Sequence, residues 1–345
     1  MTIVEKVKRL LAAEGSMTLR EIYERLPENT PASIRGNINR YLEKAEKPEF
    51  ARIGKGLYAV IEVISVEETG TVKYAASFYD GVSELHMYHK DFRTAETEMQ
   101  PGVYAQFDEF DSYTEMLEHE STIAGIFQKG DVRDVLQRYK SGSFDLLLTD
   151  PPYRTISGGN KNADAPKGML SKNDGKIFAF NDIGFDEWLP ECYRLLKDGS
   201  HAYIFTNFLN LEALMKAVQN VGFKIHNLLI WKKNNATPNR WYMKNCEYVI
   251  LARKGKAKAI TDCGSMTVHE FPNIIGTKRH ETEKPIELLK HYIMNSSREG
   301  DWVLDPFAGS GSTAEAALRT GRRFLTVEID GKYAPIIHNR LLEAL

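Results

Sequence analysis

Residues 144–153 read Phe144-Asp145-Leu146-Leu147-Leu148-Thr149-Asp150-Pro151-Pro152-Tyr153. The first six form a short apolar run, the pattern of a strand buried in a parallel sheet. The run ends in an acid, two prolines and an aromatic. Consecutive prolines fix φ twice and remove two N–H donors, so the turn is stiff and its carbonyls are left to accept. A carboxylate, a fixed carbonyl and a flat ring presented together suit an exocyclic amine on a planar base. Asp150 and the Pro151 carbonyl can accept its two N–H bonds while Tyr153 stacks on the ring.

From about residue 121 onward strands alternate with helices, which predicts an α/β sheet. A second strand, Trp302-Val303-Leu304, leads into Asp305-Pro306-Phe307-Ala308-Gly309-Ser310-Gly311-Ser312-Thr313 and then a helix. Glycines at a strand-to-helix turn let backbone approach a ligand closely. The next strand, Phe324-Leu325-Thr326-Val327, ends in Glu328, placed as an acid that hydrogen-bonds a ribose diol. AGSGS is not the GxGxxG of dinucleotide enzymes, and a cofactor without phosphates needs no phosphate cradle. The pattern asks for an adenosine bearing an amino acid.

Together with His280-Glu281-Thr282-Glu283-Lys284-Pro285, these segments resemble the S-adenosylmethionine-dependent DNA amino-methyltransferases over about residues 126–345. DPPY at 150–153 matches their catalytic motif, DPFAGSGS at 305–312 their cofactor loop, and 280–285 their HxTEKP element. The order, catalytic motif first and cofactor loop last, is that of the permuted beta group. The resemblance implies a Rossmann-like methyltransferase fold with circularly permuted motifs. It makes Asp150, Pro151, Pro152 and Tyr153 the catalytic set. Asp131 is expected to accept from the cofactor's adenine amine, Glu328 to hold the ribose, and Asp305 with Phe307, Ala308, Gly309, Ser310 and Gly311 to hold the homocysteine part. Thr282 and Lys284 complete the cofactor set, with Lys284 facing the methionine carboxylate beside the helix that Pro285 opens.

A base inside a duplex is out of reach, so the resemblance implies that it is flipped out, at a few kcal/mol of unstacking. A cytosine-C5 enzyme would need a nucleophilic cysteine, and none of Cys192, Cys246 and Cys263 lies near the DPPY strand end in sequence. DPPY is typical of adenine enzymes, so adenine N6 in double-stranded DNA is the expected acceptor and cytosine N4 the alternative. RNA or protein methylation is opposed by the permuted order. A DNA-binding regulator with a vestigial enzyme domain is opposed by the intact Asp150. No nuclease motif is evident, which predicts a lone or separately partnered modification enzyme, and the resemblance suggests a homodimer.

Residues 1–62 carry a different pattern. Ile3, Val4, Val7, Leu10 and Leu11 recur at helical spacing, and Thr18 with Glu21 makes a capping box for a second helix. Thr30-Pro31 opens a third, with Ile34, Ile38 and Leu42 on one face and Arg35, Asn37, Arg40 and Lys44 on the other. Phe50–Val60 alternates like a strand pair around a glycine turn. Three helices and a basic wing resemble the winged helix-turn-helix family, which implies DNA contacts from Arg35, Asn37 and Arg40 on the third helix and from Arg52 and Lys55 in the wing. Residues 63–120 read as an acidic, β-rich connector, and 121–345 as the methyltransferase domain.

Further DNA contacts are expected from Arg154, in a loop over 154–180 with five Lys/Arg against two Asp, and from Lys232 and Lys233. The competing reading of Trp231-Lys232-Lys233 is a strand end with core tryptophan. The formal net charge of −2 hides unlike segments: residues 1–60 hold 11 Lys/Arg against 8 Asp/Glu, residues 61–120 hold 3 against 14, and residues 121–345 hold 31 against 25. Since only the field within about 8 Å matters to a docked phosphate, basic faces can bind DNA whatever the total. Three scattered cysteines predict reduced thiols and neither a disulfide framework nor a metal site. The absence of a long apolar run predicts no membrane partner and a cytoplasmic location.

Overall fold

A computed structural model describes residues 2–14, 17–43, 50–54, 57–68, 71–79, 84–89, 123–152, 183–237, 242–274 and 283–345. The chain divides into two compact units, residues 1–140 with 341–345, and residues 141–340.

The first unit begins with α1 (Ile3–Glu14), β1 (Met17–Thr18), α2 (Leu19–Arg25), α3 (Pro31–Glu43) and the antiparallel pair β2 (Phe50–Gly54) and β3 (Leu57–Glu68). The predicted capping box is present: the Glu21 N–H donates to Thr18 Oγ1, and the Thr18 N–H donates to Glu21 Oε2 at 2.7 Å. Val4, Val7, Leu11, Met17, Ile22, Ile34 and Ile38 form one buried cluster, which is why three short helices with apolar residues on one face each hold together. β3 does not stop with the hairpin. Its residues 61–68 pair with β4 (Thr71–Tyr79), which pairs with β5 (Glu84–His89), and β5 pairs with β6 (Ile123–Lys129), all antiparallel. A one-turn helix, α4 (Val132–Val135), follows β6.

The second unit is a mixed sheet in the order β13-β12-β7-β8-β10-β9-β11. The parallel part comprises β13 (Arg323–Glu328), β12 (Trp302–Asp305), β7 (Phe144–Thr149) and β8 (Leu196–Thr206). β10 (Lys244–Arg253) runs antiparallel to both β8 and β9 (Lys224–Thr237), and β11 (Val268–Glu270) lies parallel to β9. Helices α5 (Phe185–Leu195), α6 (Phe208–Asn220), α7 (Ile286–Ser296), α8 (Ser312–Arg319) and α9 (Ala334–Ala344) complete the element order. Leu146, Leu147, Leu148, Val303, Leu304 and Leu325 are fully buried, as strands covered on both faces require. No described helix is long and apolar enough to cross a membrane.

The chain crosses from β12 through α8 to β13 on one side, and from β7 through α5 to β8 on the other. β12 and β7 are neighbours, so the carboxyl ends of these two strands flank the point where strand order reverses. In open α/β sheets ligands bind there.

Candidate active site

The two motifs read from sequence meet at that reversal. Val303 and Leu304 of β12 pair with Leu146 and Leu147 of β7, so the next residues of each strand emerge side by side. Thr149 Oγ1 donates to Asp305 Oδ1 at 2.8 Å, joining residues 156 positions apart. Asp305 is 3% exposed. Burial raises its carboxyl to about 7 against the hydrogen bonds of Thr313, Thr149 and the Phe307 N–H, and the charge of Asp150 adds to the rise. Such a group is stabilised as the anion when a cation comes to it.

The turn after Asp305 is shaped by glycine: Gly309 has φ 53° and Gly311 φ 82°, conformations that cost side chains with a Cβ about 1 kcal/mol or more. Phe307 packs edge-on against Trp188 of α5, with ring centroids 5.1 Å apart. The Ala308 N–H donates to the Val327 carbonyl at 2.8 Å and the Gly309 N–H to Glu328 Oε2 at 2.8 Å, so the loop is fastened to the end of β13. Glu328 Oε1 accepts from the Asp330 N–H at 2.9 Å, and burial raises this carboxyl too, to about 7. Ser310 is buried, and its hydroxyl oxygen has no hydrogen-bond partner among the described residues.

Lys284 precedes α7, whose N-cap is Pro285. Its ammonium is 5% exposed and bonds Asp150 Oδ2, lies 3.3 Å from Glu247 Oε2, and sits 5.2 Å from the centroid of the Phe205 ring. Burial works against its charge, but Asp150 and Glu247 outweigh it and keep the ammonium above its usual range. Burial would likewise raise Glu247, yet Lys284 and Lys233 hold that carboxyl below its usual range. The preceding residue of the motif acts structurally. Glu283 pairs with Arg340, which also reaches Glu315 of α8 at 2.8 Å, so a buried guanidinium ties the 283–285 segment to the helix behind the glycine loop.

Of the other sequence candidates, Pro151 is buried and Pro152 partly so, while Tyr153, Arg154 and Thr282 lie outside the described residues, as does the 154–180 loop. In the first unit, Asp131 caps α4. The Arg133 side chain hydrogen-bonds it and holds its carboxyl below the usual range despite partial burial. Arg35 is exposed with its Nε 3.3 Å from the Tyr23 hydroxyl, and Asn37 donates to the Ser33 carbonyl at 2.9 Å. Arg40 and Arg52 lie in α3 and β2 with their side chains outside the described residues, and Lys55 lies outside them altogether. Trp231 is core, 1% exposed, and donates to the Phe271 carbonyl at 2.8 Å. Lys232 pairs with Glu270 at 2.7 Å, and Lys233 with Glu247. The three cysteines are unpaired, and burial pushes the Cys192 thiol well up.

Glu247 belongs to no motif and was not singled out from sequence. Topology explains its place: β10 is antiparallel, with Tyr248 opposite Thr206 at the carboxyl end of β8. Its early residues therefore lie along the edge where the parallel strands finish.

Residues 144–339 match the N6/N4 methyltransferase family, described as DNA methylase. The type II methyltransferase M2.DpnII of Streptococcus pneumoniae is 31% identical over 243 residues, covering 63% of this chain and 89% of that protein. The type II methyltransferase M.HinfI of Haemophilus influenzae is 30% identical over 246 residues, covering 62% and 67% respectively. The crystal structure of the M1.HpyAVI–SAM complex aligns with a TM-score of 0.47 at 24% identity, over 61% of this chain and 96% of that one. With the 150–153 turn and the glycine loop meeting at one strand reversal, and with more than half its length matched, the chain belongs to the N6/N4 DNA methylase family.

Proposed function

We propose that the chain methylates adenine N6 in double-stranded DNA, using S-adenosylmethionine and a permuted Rossmann-like domain. The observation that carries this reading is the bond from Thr149 to Asp305, which sets the amine-accepting turn beside the glycine loop at the strand reversal. The residues present fit the cofactor. Asp305 is a buried carboxyl that gains from a cationic ligand group such as the amino acid's ammonium. Ser310 offers a buried hydroxyl in need of a partner. Glu328 accepts backbone N–H bonds on both oxygens, and a carboxylate has lone pairs for more than these, here for the ribose hydroxyls. Lys284 is assigned to the cofactor carboxylate as well as to Asp150, since an ammonium carries three donors. Asp131 is assigned to the adenine of the cofactor.

When bound, the cofactor supplies a methyl group on a positively charged sulfur that departs as a neutral thioether. The chain's part is positioning and electrostatics. An aryl amine is a weak nucleophile because its lone pair is delocalised. Asp150 and the Pro151 carbonyl accept its two N–H bonds, favour a pyramidal nitrogen and aim the lone pair at the methyl. The bound cofactor would supply the methyl and take back the sulfur–carbon electron pair, and the nitrogen's surplus proton would pass to water. Tyr153 is assigned to stacking on the flipped base.

Residues 1–62 are assigned as a winged helix, supported by the order α1-β1-α2-α3-β2-β3 around one apolar cluster. α3 would enter the major groove and the β2–β3 turn would follow the backbone. A homodimer and a cytoplasmic location complete the reading.

The test is to methylate DNA with the purified protein, digest it to nucleosides and analyse them by mass spectrometry. N6-methyldeoxyadenosine is expected, and N4-methyldeoxycytidine alone would overturn the choice of base. Asp150→Ala is expected to abolish transfer while DNA binding persists, and wild-type turnover in that variant would remove Asp150 from the mechanism.

A further inference from the structure

Four charged side chains alternate in sign along the carboxyl-end edge of the sheet: Lys233 of β9, Glu247 of β10, Lys284 before α7, and Asp150 after β7. Lys233 bonds Glu247 Oε1, Glu247 Oε2 lies 3.3 Å from the Lys284 ammonium, and Lys284 bonds Asp150 Oδ2. A buried charge is costly unless paired, and the inner two members of this row have an opposite charge on both sides. We propose that Glu247 is a positioning residue for methyl transfer: it holds the Lys284 ammonium against Asp150 Oδ2 and thereby sets how Asp150 Oδ1 meets the target amine. This rests on the reading of Asp150 as the amine acceptor.

Two effects make Glu247 matter. The first is geometric. A lysine head is a compact charge on a flexible four-carbon stem, so one carboxylate does not fix its direction. Two carboxylates on different strands, with the Phe205 ring 5.2 Å away, do. The second is electrostatic. Positive charge grows on the amine nitrogen as its lone pair takes the methyl carbon, and Asp150 is the carboxylate beside it. An ammonium bonded to Asp150 cancels most of that field. A second carboxylate 3.3 Å from the ammonium, itself shared with Lys233, offsets part of its charge, so more of the negative charge of Asp150 is left to act on the transition state.

The experiment is a double-mutant cycle. Glu247→Gln keeps the shape of the side chain and one acceptor oxygen, while Lys284→Met keeps the aliphatic stem and removes the ammonium. Glu247→Gln is expected to lower kcat about 10–100-fold, the scale on which groups supporting a functional ligand act, with KM for DNA changed far less. Because Glu247 acts through Lys284, adding Glu247→Gln to Lys284→Met should cost little more, so the two losses do not multiply. Glu247→Asp keeps the charge on a shorter arm and gives an independent reading, with activity expected between wild type and the glutamine variant. Calorimetry with S-adenosylhomocysteine separates positioning from cofactor binding: Glu247→Gln is expected to lose less affinity for it than it loses in kcat. Wild-type kcat in Glu247→Gln, multiplicative losses in the double variant, or an aspartate variant no better than Glu247→Gln would each overturn the proposal. Should the wild-type protein transfer no methyl to any DNA base, the reading of Asp150 itself fails, which is a different result from any of these.

Discussion

Thr149→Val removes one hydroxyl from the seam between the two motif strands and leaves the side chain nearly the same shape. Both partners of the lost bond are buried, with Thr149 1% and Asp305 3% exposed. Burial, opposed by the hydrogen bonds of Thr313, Thr149 and the Phe307 N–H, places the Asp305 carboxyl at about 7 in the folded chain, against a usual 3.8. The folded chain therefore keeps a proton that the unfolded chain has lost. That contribution to stability is complete below the unfolded value and falls as pH rises through the folded one. A hydrogen bond to a charged group contributes about 1.5–3 kcal/mol and one to a neutral group about 0.5–1.5 kcal/mol. The variant should thus lose about 1 kcal/mol at pH 5.5, where Asp305 is protonated in the folded state, and about 2 kcal/mol at pH 8.5, where the stranded oxygen is charged. Groups common to both proteins cancel in the comparison. All four tryptophans lie in the second unit, so urea unfolding followed by their fluorescence reads the stability of that unit. An equal loss at the two pH values would refute the assignment of the Thr149 hydroxyl as a donor to an ionisable Asp305.

Arg340→Met strips the guanidinium from Glu283 and Glu315 and should destabilise the protein by about 3–5 kcal/mol, the cost of breaking a buried pair by removing one partner; a fall in denaturation midpoint too small to reach about 1 kcal/mol would show that the cluster is solvated. Replacing Arg35 and Arg40 together by Ala should weaken DNA binding and reduce the log–log salt slope by about 0.9 for each phosphate no longer neutralised, and an unchanged slope in a binding titration would assign the first unit to another partner.

The double-proline turn, the glycine loop and the strand ends at Asp150, Asp305 and Glu328 were legible in the sequence because each is a local signal: an apolar run, then residues that only a turn accommodates. The helices and hairpin of residues 1–60 were legible for the same reason, through the Thr18 capping box and the spacing of Ile34 and Ile38. What Lys284 touches was not. Its motif resembles one expected at the cofactor and says nothing of the two carboxylates that the ammonium meets in the folded chain, Asp150 and Glu247, 134 and 37 positions away. The continuation of β3 across residues 61–68 was also hidden, since a change in composition marks a charge boundary and not the end of a strand. Glu247 carried no signal at all, because an acid at the start of an antiparallel strand is ordinary in sequence. It becomes part of the site only because β10 runs against β8, bringing its first residues to the edge where the parallel strands end. Chain-local chemistry is written in neighbouring residues. Charge pairing between distant strands is decided by topology, since a buried ion needs a counter-ion wherever the fold places one.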